Sequence, residues 1–126
     1  MSKRVLICED DGSIRLLLSK LLTRHGLLAD SVGTGAEAVE RLRREPYDLI
    51  LLDLLIPEMS GYDVLDLLRR ERPDLLDRVV VMTAQQRAFR EPLPVAAIIR
   101  KPFELAEFDG VIERVSNGGR GAEGGM

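Results

Sequence analysis

Apolar residues follow two rhythms along the chain. Four short runs are continuous: Val5-Leu6-Ile7-Cys8, Leu49-Ile50-Leu51-Leu52, Val79-Val80-Val81-Met82 and Val95 to Ile99. Each is bounded by polar or turn residues, the pattern of strands buried on both faces. Leu28 to Val32 is partly polar and reads as a strand nearer a sheet edge. Between the runs the spacing becomes helical. Ile14, Leu17, Leu18, Leu21 and Leu22 form one stripe, and Gly26 stands where a helix-ending glycine would. Thr34 to Glu37 reads as a capping box, opening a helix with Ala38, Val39 and Leu42 inward that Pro46 stops. A third helix runs from about Ser60, with Val64, Leu65, Leu67 and Leu68 inward, and closes at Pro73. A last helix carries Leu105, Phe108, Ile112 and Val115 inward. The alternation predicts five βα units, an α/β protein with a parallel sheet covered on both faces.

Length and composition narrow this further. The 126 residues fit one domain, expected over 1–116. Five of the eleven glycines fall in 118–126, so 117–126 reads as a Gly-rich disordered tail or truncated linker. One cysteine excludes a disulfide framework and a multi-cysteine zinc site. With 18 basic and 21 acidic residues the net charge is −3, which argues against direct binding of a nucleic acid backbone. No apolar run approaches the roughly 20 residues that span a bilayer. The start, Met1-Ser2-Lys3-Arg4, lacks the pattern of a signal peptide. A cytoplasmic protein without membrane insertion is the expectation.

The polar residues that end the runs carry the chemistry. Glu9-Asp10 follow the first, Asp53 the second, Thr83 the third and Lys101 the fourth. Ligands of open α/β sheets bind outside these carboxyl ends. Turn residues are ordinarily polar, which explains any one of them but not so complementary a set. Clustered carboxylates repel, and one titrates upward unless a cation is present. Oxygen donors alone suit Mg²⁺ or Mn²⁺. A carboxylate beside such an ion can attack a phosphoryl group, while the ion, a lysine and a hydroxyl neutralise the oxygens in transfer. Asp53, on a central run, is the nucleophile of choice.

These stretches resemble the receiver domain of two-component response regulators, in its single-domain, chemotaxis-regulator-like form. The matching segments are Glu9-Asp10-Asp11-Gly12-Ser13-Ile14-Arg15, Asp53 through Pro57 to Gly61, Thr83-Ala84 and Lys101-Pro102-Phe103. The resemblance implies a doubly wound, flavodoxin-like sheet of order 2-1-3-4-5, for which the receiver fold is a stock example. It implies that Asp53 accepts a phosphoryl group from a histidine kinase or phosphotransfer protein and loses it slowly, without the chain being an enzyme in the ordinary sense. Asp10 and Asp53 would bind Mg²⁺ directly, Glu9 through water, and Leu55 through its backbone carbonyl. Lys101 and Thr83 would contact the phosphoryl group, as would the backbone of Ala84. A cis Lys101-Pro102 bond is expected, and Pro57 and Gly61 would shape the loop after the acceptor. The output protein is unspecified, and a homodimer is one option. At this length one receiver without an effector domain is the expectation, whether as a stand-alone protein or as a fragment of a larger regulator.

Two departures bear on output. Ile98 stands three residues before Lys101, where the family usually has Tyr or Phe as a switch partner of Thr83. Pro92 and Pro94 predict that the fourth of the five helices is short or distorted. They favour, as the alternative, a receiver-shaped binding module with phosphorylation-independent or atypical output. A rival motif, Gly33-Thr-Gly35-Ala-Glu-Ala38, matches a dinucleotide fingerprint, although it follows the weaker strand and no second mononucleotide half is present. His25 reads as closing the first helix, Asp11 as capping it, and Cys8 as a small buried hydrophobe. The arginines of 41–44 and 69–72 read as helix-end charges.

Overall fold

The computed structural model describes residues 3–85, 89 and 92–117. Five strands are present: β1 (Arg4–Cys8), β2 (Leu28–Val32), β3 (Leu49–Asp53), β4 (Val79–Thr83) and β5 (Ala97–Arg100). All pair in parallel, in the order β2-β1-β3-β4-β5. The partly polar strand therefore lies at an edge and the run ending on Asp53 lies at the centre. Among the described residues the helices are α1 (Gly12–Arg24), α2 (Gly35–Arg44), α3 (Gly61–Glu71) and α4 (Leu105–Ser116). A 3₁₀ turn, Pro73–Arg78, leads into β4 and had no signature in the apolar pattern.

Alternate residues of each strand feed opposite faces, as strand geometry requires. Leu6, Cys8, Ile50, Leu52, Val79 and Val81 pack with α2, α3 and the 3₁₀ turn. Val5, Ile7, Leu49, Leu51, Val80 and Met82 pack with α1 and α4. The sheet is thus doubly wound, with flavodoxin-like order.

Asp11 caps α1 by accepting from the amides of Ser13 and Ile14. Thr34 caps α2, but the box is shifted: the Glu37 carboxylate reaches the amide of Gly33 rather than that of Thr34. Ser60 and Asp63 form a full capping box on α3.

Three expectations are corrected. Leu17 and Leu105 are exposed, at 50% and 45%. Leu17 lies about 100° round the helix from Leu18, and α1 meets the sheet through Leu18, Leu21 and Leu22, so Leu17 falls on its flank. Leu105 sits in the first turn of α4, ahead of Phe108, where burial begins. The fourth apolar run pairs only from Ala97, since Val95 and Ala96 precede the strand in an irregular approach. The expected short helix between β4 and β5 falls on 84–96, of which 86–88 and 90–91 lie outside the described residues, as does 118–126 of the expected tail.

Candidate metal and phosphoryl site

The carboxyl ends of β1, β3, β4 and β5 converge on one cleft. Asp53 is the last residue of β3, Thr83 the last of β4, and Glu9 and Lys101 directly follow β1 and β5. Glu9, Asp10 and Asp53 each present a carboxylate oxygen, all within 4.8 Å of one another. Glu9 and Asp53 are buried and Asp10 is exposed. An all-oxygen set at this spacing could hold a hard divalent cation.

Lys101 closes the cleft. Its Nζ donates to Glu9 Oε1 at 2.6 Å and to Asp53 Oδ2 at 3.2 Å. Burial pushes the Glu9 carboxyl up and the Asp53 charge adds to this, against the opposing pull of Lys101 and the Asp11 amide. Burial draws the Lys101 ammonium down, but Glu9 and Asp53 outweigh it, so its pKa is raised and it stays charged. The longer side chain of Glu9, compared with aspartate, makes the closer of the two contacts. The Lys101-Pro102 bond is cis.

The loop after Asp53 is held by its own backbone. The amide of Leu55 donates to Asp53 Oδ1 at 3.0 Å, and that of Gly61 to the Leu54 carbonyl at 3.0 Å. Glu58 and Met59 take positive φ, 50° and 77°. The carbonyls of Pro57 and Glu58 accept from the first amides of α2, those of Gly35 and Ala36. Pro57 lies within this loop, and Gly61 opens α3 at its end. The rival dinucleotide motif fails here: a Cβ on Gly35 would stand 1.8 Å from the Met59 carbonyl, so the glycine serves chain packing and its amide is already bonded.

Thr83 is fully buried, and its Oγ1 accepts from the Gln85 amide at 3.0 Å, while Ala84 is exposed. Gln85 also accepts, through Oε1, a bond from the Tyr62 hydroxyl, and its carbonyl accepts from Arg100 at 2.5 Å. Ile98 is half-buried against the α2–α3 face, on the core cluster that Phe89, Leu93 and Val95 also pack against. Gln85 and Tyr62 had no signal in the sequence, and Arg15 lay in a matched segment without a role. His25 ends α1 and bonds Asp109 at 2.8 Å, away from this cleft. Cys8 is buried, which pushes its thiol far up and leaves it an inert core residue.

Fold and cleft define a doubly wound α/β protein with a candidate metal site, and residues 5–113 match the model of the response regulator receiver domain. The chain belongs to that family, whose members act as signalling modules of two-component systems rather than as ordinary enzymes. It is similar to the response regulator receiver protein CpdR of Brucella abortus, 32% identical over 90% of this chain and 96% of that protein. It is 34% identical to the transcriptional activator protein PfeR of Pseudomonas aeruginosa, but spans only 36% of that protein's length. The fold matches the response regulator protein TrrA of Thermotoga maritima, solved in complex with Mg(2+)-BeF, with TM-score 0.81 and 27% identity over 90% of this chain and 98% of that one. No helix among the described residues is long and apolar enough to cross a membrane.

Proposed function

We propose that this chain is the phosphoacceptor of a two-component or phosphorelay system in the cytoplasm, phosphorylated on Asp53 by a histidine kinase or phosphotransfer protein and signalling through protein contacts. The observation that carries the reading is the placement of Asp53, at the end of the central strand between two further acids and a lysine. Glu9, Asp10, Asp53 and the Leu55 carbonyl would hold Mg²⁺ or Mn²⁺. When bound, the ion supplies positive charge to the phosphoryl oxygens.

The chain's own residues do the rest. A carboxylate oxygen of Asp53 attacks phosphorus as the bond to the donor imidazole nitrogen breaks. Lys101, already 3.2 Å from Asp53, meets the oxygens of the incoming group. The Thr83 hydroxyl now accepts from Gln85, so turning it toward the phosphoryl group breaks that bond and loosens the hold on Gln85. Gln85 is tied to Tyr62 and Arg100, which gives the transfer an outlet that does not need an aromatic at Ile98. The folded unit is taken as 1–116, with 117–126 as tail or linker.

Labelling by a small phosphodonor with Mg²⁺, read by mass, tests this. Asp53→Asn is expected to abolish it, and labelling that survives would move the acceptor elsewhere. Failure of the wild type to label would favour the phosphorylation-independent binding module.

A further inference from the structure

We propose that Arg15 is a positioning residue that holds the acid turn of Glu9 and Asp10 in the arrangement that binds the metal ion. The inference rests on the proposed metal site. Arg15 lies in the first turns of α1, half-buried, and its Nη1 donates to the main-chain carbonyl of Glu9 at 2.7 Å. The Glu9 amide donates to the Val32 carbonyl at 3.1 Å, so the backbone of Glu9 is pinned from both sides. Glu9 Oε2 accepts from the Asp11 amide at 3.2 Å, which ties the side chain into the same turn.

The guanidinium lies close against Gly33: a Cβ there would stand 3.1 Å from Nη1, whereas one on Gly12 would meet Nη2 at an ordinary 3.6 Å. The Gly33 loop is itself fastened, its amide donating to Glu37 Oε1 at 3.1 Å. Arg15 thus bridges the loops that follow β1 and β2. Among the described residues its head bonds a carbonyl rather than a carboxylate, so it orients the turn instead of neutralising the acids.

The role has a sign that electrostatics alone would reverse. Removing a cation near a metal site strengthens Mg²⁺ binding by Coulomb's law. Removing a support that orients the ligands weakens it, commonly 10- to 100-fold for groups one bond removed from a metal. Calorimetric titration of the full chain with Mg²⁺ separates the two. Arg15→Met is expected to weaken Mg²⁺ about tenfold. Arg15→Lys, which keeps the charge but loses the planar fork, is expected to fall between the two.

Gly33→Ala supplies a test that leaves every acid and Arg15 in place. Its methyl must push the guanidinium by a few tenths of an ångström, and a loss of a few-fold is expected. In the Arg15→Met background the same methyl is expected to change nothing. Phosphodonor labelling should show a raised half-saturating Mg²⁺ concentration with an unchanged maximal rate, which a general loss of stability would not produce. Unchanged or tighter Mg²⁺ binding by Arg15→Met overturns the proposal, as does an equal effect of Gly33→Ala in both backgrounds. If Arg15→Met does not fold, the Gly33→Ala and Arg15→Lys titrations decide alone. A wild type that binds no Mg²⁺ would instead remove the metal site itself.

Discussion

A methyl group added at Gly61 would stand 2.5 Å from the Asp53 carbonyl oxygen and 2.6 Å from Leu54 Cα, both backbone atoms that cannot step aside. At Gly110, exposed within α4, the same methyl would meet nothing within 4 Å. Gly61→Ala is therefore expected to destabilise by about 2–4 kcal/mol, in the range of forced overpacking. Gly110→Ala should stabilise by about 0.5–1 kcal/mol through helix propensity. Urea denaturation of both measures this, and shifts in the same direction would contradict the assigned contacts. Single residues also mark the limit of reading the sequence. Glu9, Asp10, Asp53, Thr83 and Lys101 were legible because side-chain chemistry at a strand end declares itself. Arg15 and the Gln85 contacts to Thr83 and Arg100 were not, because each runs through a backbone group, and a carbonyl or amide is present at every position.

Elements were legible wherever one rhythm ran undisturbed. Continuous apolar runs gave the central strands because both of their faces are covered. The edge position of β2 was legible for the converse reason, since Asp30 and Ser31 face partial solvent. Periodicity overreached on α1, where five apolar positions suggested a broader buried stripe than the sheet receives. Leu18 and Leu17 are neighbours in sequence with opposite fates, 1% and 50% exposed. Leu18→Ala should cost about 2–5 kcal/mol, as for core leucines generally, whereas Leu17→Gln should stay within about 0.5 kcal/mol. Thermal unfolding of the pair checks this, and a large loss from Leu17→Gln would place its side chain in the core. The 3₁₀ segment that begins at Pro73 was not legible because six residues carry too few positions to show a period. Its Leu75 and Leu76 pack against α3 and the sheet all the same.

At the scale of the whole molecule, charge is divided between the two ends of the sheet. One end holds the acids and Lys101 of the cleft, and the other a network around buried Tyr47. There the Tyr47 hydroxyl donates to Asp30 Oδ2 at 2.8 Å, Arg4 bonds Asp30 at 2.5 Å and Glu45 at 2.7 Å, and its guanidinium stacks 5.0 Å from the Tyr47 ring. These contacts join β1, β2 and the segment after α2. The Tyr47 hydroxyl first, then Arg4, hold the Asp30 carboxyl below its ordinary range. A carboxyl whose pKa falls on folding adds stability above its unfolded value, near 3.9, and loses it as pH falls through the folded value. Asp30→Asn should therefore be less stable than the wild type at pH 7, and the gap should narrow steadily below about pH 4. The Asp30 side chain is 36% exposed, so solvent screening keeps the gap modest. Every other ionisable group is common to both proteins, so its contribution cancels in the comparison. Urea midpoints at neutral and acid pH measure the gap, and one that stays constant across that range would mean that Asp30 contributes through packing and not through its charge.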